Sequence, residues 1–228
     1  MESGETIGRA VVLLSGGLDS TTLLHYAARR LQVTDIHAVS FRYGQRHVRE
    51  MEMAAWQARA AGVHCHREID LSFFGDLAQG GSSLLEGGGP VPDLETLKEE
   101  DRDQPPTYVP NRNMIFLALC AAYAEANRIR DIFYGAQAQD RYGYWDCTID
   151  FVDRMNDVLR LNRRSAVVVH APFAEMRKPE VLRIGRELGV DYTRTWSCYR
   201  GAEEPCGTCP ACVERSEAFR EAGILDSC

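Results

Sequence analysis

An α/β fold, a parallel sheet with helices on both faces, is predicted by three features of this sequence. Short apolar runs alternate with amphipathic stretches of helical period, the order of a βαβ series. The first apolar run ends in a glycine-rich string that leads straight into a helical stretch. The chain has 228 residues, 45% of them hydrophobic, which suffices for one sizeable core and leaves little for a second. Residues 1–228 therefore read as a single domain.

Residues 10–14 read as a strand buried on both faces. Residues 20–31 follow as a helix, with Leu23, Leu24, Ala27, Ala28 and Leu31 on one side. Residues 35–41 predict a second strand, 46–61 a helix, 63–69 a third strand of alternating polarity, 113–127 a strongly apolar helix and 131–136 a fourth strand. A helix over 149–161, a strand over 166–170 and a helix over 179–188 complete the series, the last with Pro179 in its first turn and Gly189 past its end. Residues 72–107 break this rhythm. They hold six Gly, four Pro and the acids Glu99, Glu100, Asp101 and Asp103, and read as a mobile loop or lid.

Twenty-six Lys and Arg against thirty-three Asp and Glu give a net charge of −7, which argues against a broad nucleic-acid surface and for a small anionic or nucleotide-like substrate. No run approaches the ~18 apolar residues of a membrane span. Residues 1–9 lack the basic-then-apolar order of a signal peptide, so the expected location is cytoplasmic. Of eight cysteines, four fall between Cys198 and Cys212, a crowding that in a cytosolic chain points to metal ligation. Cys198, Cys206, Cys209 and Cys212 offer four thiolates within residues 196–215, enough for a closed tetrahedral Zn2+ site. Gly207 and Pro210 permit the turns, and the metal would pin a final helix over 210–222. A redox pair needs two cysteines, not four.

The most informative string is Leu14-Ser15-Gly16-Gly17-Leu18-Asp19-Ser20-Thr21. Unpaired amides at a helix start form an anion site, and Gly16 and Gly17 let the main chain approach phosphate oxygens. Ser15, Ser20 and Thr21 add hydroxyl donors. Asp19 repels phosphate, so its use is to hold Mg2+ bridging the phosphates of ATP. The Gly-Lys-Ser/Thr ending of a Walker loop is absent, which disfavours kinase or GTPase chemistry.

Ser-Gly-Gly-Leu-Asp-Ser after a first strand resembles the PP-loop of the N-type ATP pyrophosphatases. Three further strings narrow the resemblance: Tyr43-Gly44-Gln45-Arg46-His47, Tyr108-Val109-Pro110-Asn111-Arg112-Asn113, and Ser197-Cys198-Tyr199 leading into the other three clustered cysteines. Together they are similar to the 7-cyano-7-deazaguanine synthase (QueC) family of queuosine biosynthesis, from about Val11 to about Phe219. The resemblance implies a Rossmann-like, adenine nucleotide alpha hydrolase-like fold with a zinc-bound C-terminal tail. It also implies a homodimer that adenylates 7-carboxy-7-deazaguanine, lets ammonia displace AMP, and activates the amide with a second ATP to form the nitrile. Arg112 and Lys178 are the candidate cations for charge building at the α phosphate. Tyr43, Gln45, Asp140, Tyr144 and Asp146 are the candidate substrate contacts, Asp140 also a catalytic candidate. An Asp accepts the N–H donors of a guanine-like edge, and Tyr144 or Trp145 stacks on the ring. The chain departs from the family pattern at Trp145, where Pro is expected, and Thr148, where Arg is expected. A QueC-like ligase of anti-phage defence, which joins the acyl group to a protein amine, is therefore kept as an alternative. A tRNA-thiolating enzyme, which needs a basic RNA surface, and a non-catalytic nucleotide sensor are the other two readings.

Overall fold

The computed structural model describes residues 7–46, 49–102, 104–138 and 143–226. Among them five strands form one parallel sheet in the order β3-β2-β1-β4-β5. These are β1 Arg9–Leu13, β2 Asp35–Arg42, β3 Cys65–Asp70, β4 Asp131–Phe133 and β5 Val168–His170. The helices are α1 Leu18–His25, α2 Arg49–Ala60, α3 Ser72–Leu77, α4 Arg112–Ala126, α5 Ile149–Leu159, α6 Lys178–Glu187 and α7 Pro210–Ala222.

The period of two along β1 divides the core. Val11 and Leu13 pack with Phe116 and Leu117 of α4 and Phe151 and Val152 of α5. Ala10, Val12 and Leu14 pack with Leu23 and Leu24 of α1, Ala54 and Ala58 of α2 and Val181 of α6. Both faces are covered, which is why β1 reads as an unbroken apolar run. α7 joins the second layer through Leu182, Tyr192, Ala218 and Phe219.

The chain winds outward from β1 to β3, then returns to β4 on the other side of β1. Crossovers leave in opposite directions there, and a crevice opens beyond the carboxyl ends of the two strands. β4 stops at Phe133 rather than running to residue 136, because Gly135 comes against α1, where a Cβ would stand 3.3 Å from Ser20 Cα. Tyr134 to Ala136 become crevice wall instead of sheet.

The helix predicted over 20–31 starts two residues earlier and its last turn is a wide π turn over Tyr26–Arg30, with Leu31 N donating to Tyr26 O at 3.0 Å. Among the described residues the helix predicted from residue 46 runs Arg49–Ala60, and Arg46 N instead donates to Leu84 O at 3.1 Å; His47 and Val48 lie outside the described residues. The 72–107 segment holds α3 and two 3-10 turns, Leu94–Thr96 and Glu99–Arg102, and buries Leu84 and Leu85 in the first core. No helix among the described residues is long and apolar enough to cross a membrane.

Candidate active site and metal centre

The glycine-rich string turns the chain from β1 into α1 at the crevice. Gly16 sits at φ +87°, and a Cβ there would run into the Glu50 carbonyl and lie 2.8 Å from Ala54 N. Its missing side chain thus serves close packing on α2, not phosphate approach, and Gly16 does not line the cavity. Gly17 caps α1 in an extended conformation. The amides of Leu18, Asp19 and Ser20 have no intrahelical acceptor by position, and all three residues line the cavity. Ser15 Oγ and Ser20 Oγ lie 2.9 Å apart, and Ser15 N donates to Ser20 Oγ at 3.1 Å. These hydroxyls therefore brace the turn. Thr21 is fully buried and off the cavity wall, so the sequence-based assignment of its hydroxyl to phosphate is corrected.

The cavity measures about 680 Å³, within the range of small-molecule sites. Asp19 faces it beside Lys178, the first residue of α6, and Glu214 of α7. Lys178 is 9% exposed and its Nζ stands 3.0 Å from Glu214 Oε2. Burial pushes the Asp19 carboxyl up; the Lys178 ammonium pulls it back and Glu214 adds to the rise. Asp19 Oδ1 is buried without a hydrogen-bond partner among the described residues. A hard oxygen held unsatisfied at a helix start meant for anions fits a bridging magnesium ion.

Arg112 opens α4 immediately after Asn111, which takes the left-handed conformation at φ 56°. Its Nη1 donates to Tyr43 Oη at 3.2 Å, and both residues face the cavity. Tyr144 Oη and Thr107 Oγ1 are 2.6 Å apart on the same wall. Gln45 lines the cavity, and its amide braces the end of β2, accepting from Tyr43 N at 2.7 Å and donating to Phe41 O at 3.1 Å. One sequence-derived contact is corrected. Asp146 is 1% exposed and off the cavity wall, its Oδ2 accepting from Asn113 N at 3.3 Å. Burial pushes this carboxyl up, and Arg112 and the Asn113 amide pull it back, so it fixes the start of α4. Asp140 lies outside the described residues. Trp145 Nε1 donates to Tyr108 Oη at 2.9 Å, which directs its ring to protein rather than to the cavity.

Cys198, Cys206, Cys209 and Cys212 gather with all four Sγ atoms within 4.8 Å of one another. Hydrogen bonding with Cys212 pulls the Cys209 thiol down to about 5 and pushes Cys212 itself up. Four sulfurs this close cannot all be thiolates without a cation, and a tetrahedral soft-ligand set fits zinc. Cys209 caps α7, so the cluster holds the start of that helix. Val91 and Trp196 pack on it, and Leu94 N donates to Thr208 O at 2.9 Å. Leu94 and Leu97 then reach the cavity.

Residues 9–223 match the family model described as "Queuosine biosynthesis protein QueC". The chain belongs to the QueC family. QueC-family relatives include proteins named 7-cyano-7-deazaguanine synthase from Caldicellulosiruptor saccharolyticus, 43% identical over 96% of this chain and 93% of that one. Another, from Rhodopirellula baltica, is 45% identical over 96% of this chain and 90% of its own. In fold, this QueC-family chain is similar to NMN synthetase from Francisella tularensis, with TM-score 0.55 and 13% identity over 97% of this chain and 79% of that one. It is also similar to the U34-tRNA thiolase NcsA from Methanococcus maripaludis, with TM-score 0.52 and 14% identity over 95% and 66%. At such identities the likeness concerns the fold alone.

Sequence reasoning missed Glu214, Trp196, Leu94 and Gly135 as cavity residues of this QueC-family chain. Glu214 had one signal, its place two residues beyond Cys212. Leu94 had none.

Proposed function

We propose that this protein is an ATP-dependent carbon–nitrogen ligase that converts 7-carboxy-7-deazaguanine, through an acyl-adenylate and an amide, to 7-cyano-7-deazaguanine. One observation carries this: the free amides of the α1 start, the unsatisfied Asp19 oxygen and Lys178 share a single cavity with Arg112 and Tyr144. Membership of the QueC family and the names of its relatives support the substrate.

Leu18, Asp19 and Ser20 offer main-chain donors to the β and γ phosphates, which leave as pyrophosphate when the substrate carboxylate attacks the α phosphate. Magnesium, when bound at Asp19, supplies charge neutralisation at the leaving group. Lys178 is placed for a phosphate oxygen as a point charge, and Arg112, held by Tyr43, for the carboxylate. Ammonia attacks the resulting mixed anhydride and AMP departs. The amide oxygen is adenylated in a second round, and loss of a proton with AMP leaves the nitrile. Water exclusion matters because the anhydride hydrolyses; Leu94, Leu97 and Trp196 give the cavity an apolar rim suited to it.

The test is to incubate the protein with 7-carboxy-7-deazaguanine, ATP, magnesium and ammonium and identify products by mass spectrometry. Nitrile with AMP and pyrophosphate is the expected outcome. An acyl mass added to a protein would replace this function with the protein-amine ligase, and no pyrophosphate would remove both.

A further inference from the structure

We infer that Glu214 is a positioning residue: from the metal-anchored end of α7 its carboxylate fixes the Lys178 ammonium at the cavity wall. This rests on the cavity being the nucleotide site proposed above. Lysine carries its charge on a flexible four-carbon stem, and Lys178 shares the cavity with Asp19, whose carboxyl feels both Lys178 and Glu214. The Glu214 carboxylate, with Oε2 3.0 Å from Lys178 Nζ, competes with the unsatisfied Asp19 oxygen for the ammonium and leaves that oxygen to the cation expected there.

The pair is not built for stability. The Glu214 side chain is 44% exposed against 11% for Lys178, and a half-solvated ion pair contributes ~1 kcal/mol or less to folding. Its geometry, by contrast, is braced at both ends of α7. Cys209 caps the helix and Cys212 lies two residues before Glu214. At the far end, Glu221 accepts from both Arg177 terminal nitrogens at 2.7 and 2.8 Å, and Arg177 directly precedes Lys178. α7 is thus anchored by the cysteine cluster on one side of the contact and joined to α6 by Arg177 and Glu221 on the other.

A mutant cycle tests this with Glu214→Gln, Lys178→Ala and the double variant. Magnesium–ATP binding is followed by calorimetry, and kcat and KM for AMP formation, bound zinc and melting temperature are measured alongside. Glu214→Gln should keep wild-type zinc and melting temperature, lower kcat on the order of tenfold, and be partly rescued by Glu214→Asp. In the Lys178→Ala background it should add less than about twofold, because the two side chains act as a unit. Equal factors in both backgrounds, unchanged kcat in Glu214→Gln, or loss of zinc from it would each overturn the positioning role. A wild-type protein that binds no magnesium–ATP would overturn the nucleotide site and this inference together, whereas normal wild-type binding with independent effects sinks the inference alone.

Discussion

Asp19 sets function against stability within one side chain. Its folded pKa is raised by burial, so between the unfolded and folded values the folded chain binds more protons than the unfolded one. Stability therefore falls as pH rises through that window, and the loss is complete once the pH exceeds the folded value. Replacing the carboxylate with a neutral isostere removes this cost. Asp19→Asn should raise the melting temperature of the ligand-free protein, by about 2–4 °C for each kcal/mol relieved in a chain of this size, while abolishing pyrophosphate release. Scanning calorimetry and a pyrophosphate assay check both halves; a variant that melts lower, or still turns over, contradicts the assignment. This is also where residue types in a string were most legible: a carboxylate inside an anion site is chemically odd, and the oddness survives folding. Asp146 and Gly16 were misjudged for the opposite reason. Each suits a ligand, yet the backbone of a neighbouring helix takes it up, Asp146 at the start of α4 and Gly16 against α2. A linear sequence does not show which backbone groups a turn leaves in need.

Thr148, where the resemblance led to the expectation of Arg, shows the same competition at the level of an element. Its Oγ1 accepts from Phe151 N at 3.2 Å and donates to Trp145 O at 2.9 Å, so the residue caps α5 and ties down the turn before it. An Arg there could not accept that amide. Thr148 thus has a local structural use, and Trp145 stacks edge-on against Phe151 in the same turn. Thr148→Ala should lower stability by about 1 kcal/mol, the usual worth of an N-cap, read as a melting temperature about 2–4 °C lower. The KM for ATP should not move. Helix positions were legible where a local signal marks a start, as at α7 beside the cysteine cluster, whose observed limits Pro210–Ala222 coincide with those expected. They were not legible where tertiary contact ends an element. Nothing local stops β4 at Phe133; α1 does, through Gly135.

Across the whole molecule, the cysteine centre and the cavity are parts of one assembly. Arg200 links the cysteine loop to the 72–107 segment, donating to Asp93 Oδ1 at 2.7 Å and Val91 O at 3.2 Å. Trp196 N donates to Gly16 O at 3.0 Å, so the strand-like run into the first cysteine is fastened to the glycine-rich turn itself. The parallel sheet and the four-cysteine spacing could be foreseen, because βαβ alternation and metal-ligand spacing are local patterns; the strand order could not. The joining of residues 91–97 to residues 196–212 could not, since neither stretch has a periodic signature and they meet only through the fold. Removing the metal should therefore act at a distance. With Cys209→Ser, bound zinc should fall to near zero. Free cluster energy in such sites is folding energy, so the melting temperature should drop by roughly 5 °C or more. Because the same loop carries Trp196 and supports Leu94 at the cavity rim, magnesium–ATP should bind at least about tenfold more weakly, a loss of about 1.4 kcal/mol. Metal analysis, calorimetric melting and nucleotide titration on one preparation separate the steps. If zinc is lost and nucleotide affinity is unchanged, the centre holds only its own tail, and the cavity wall stands without it.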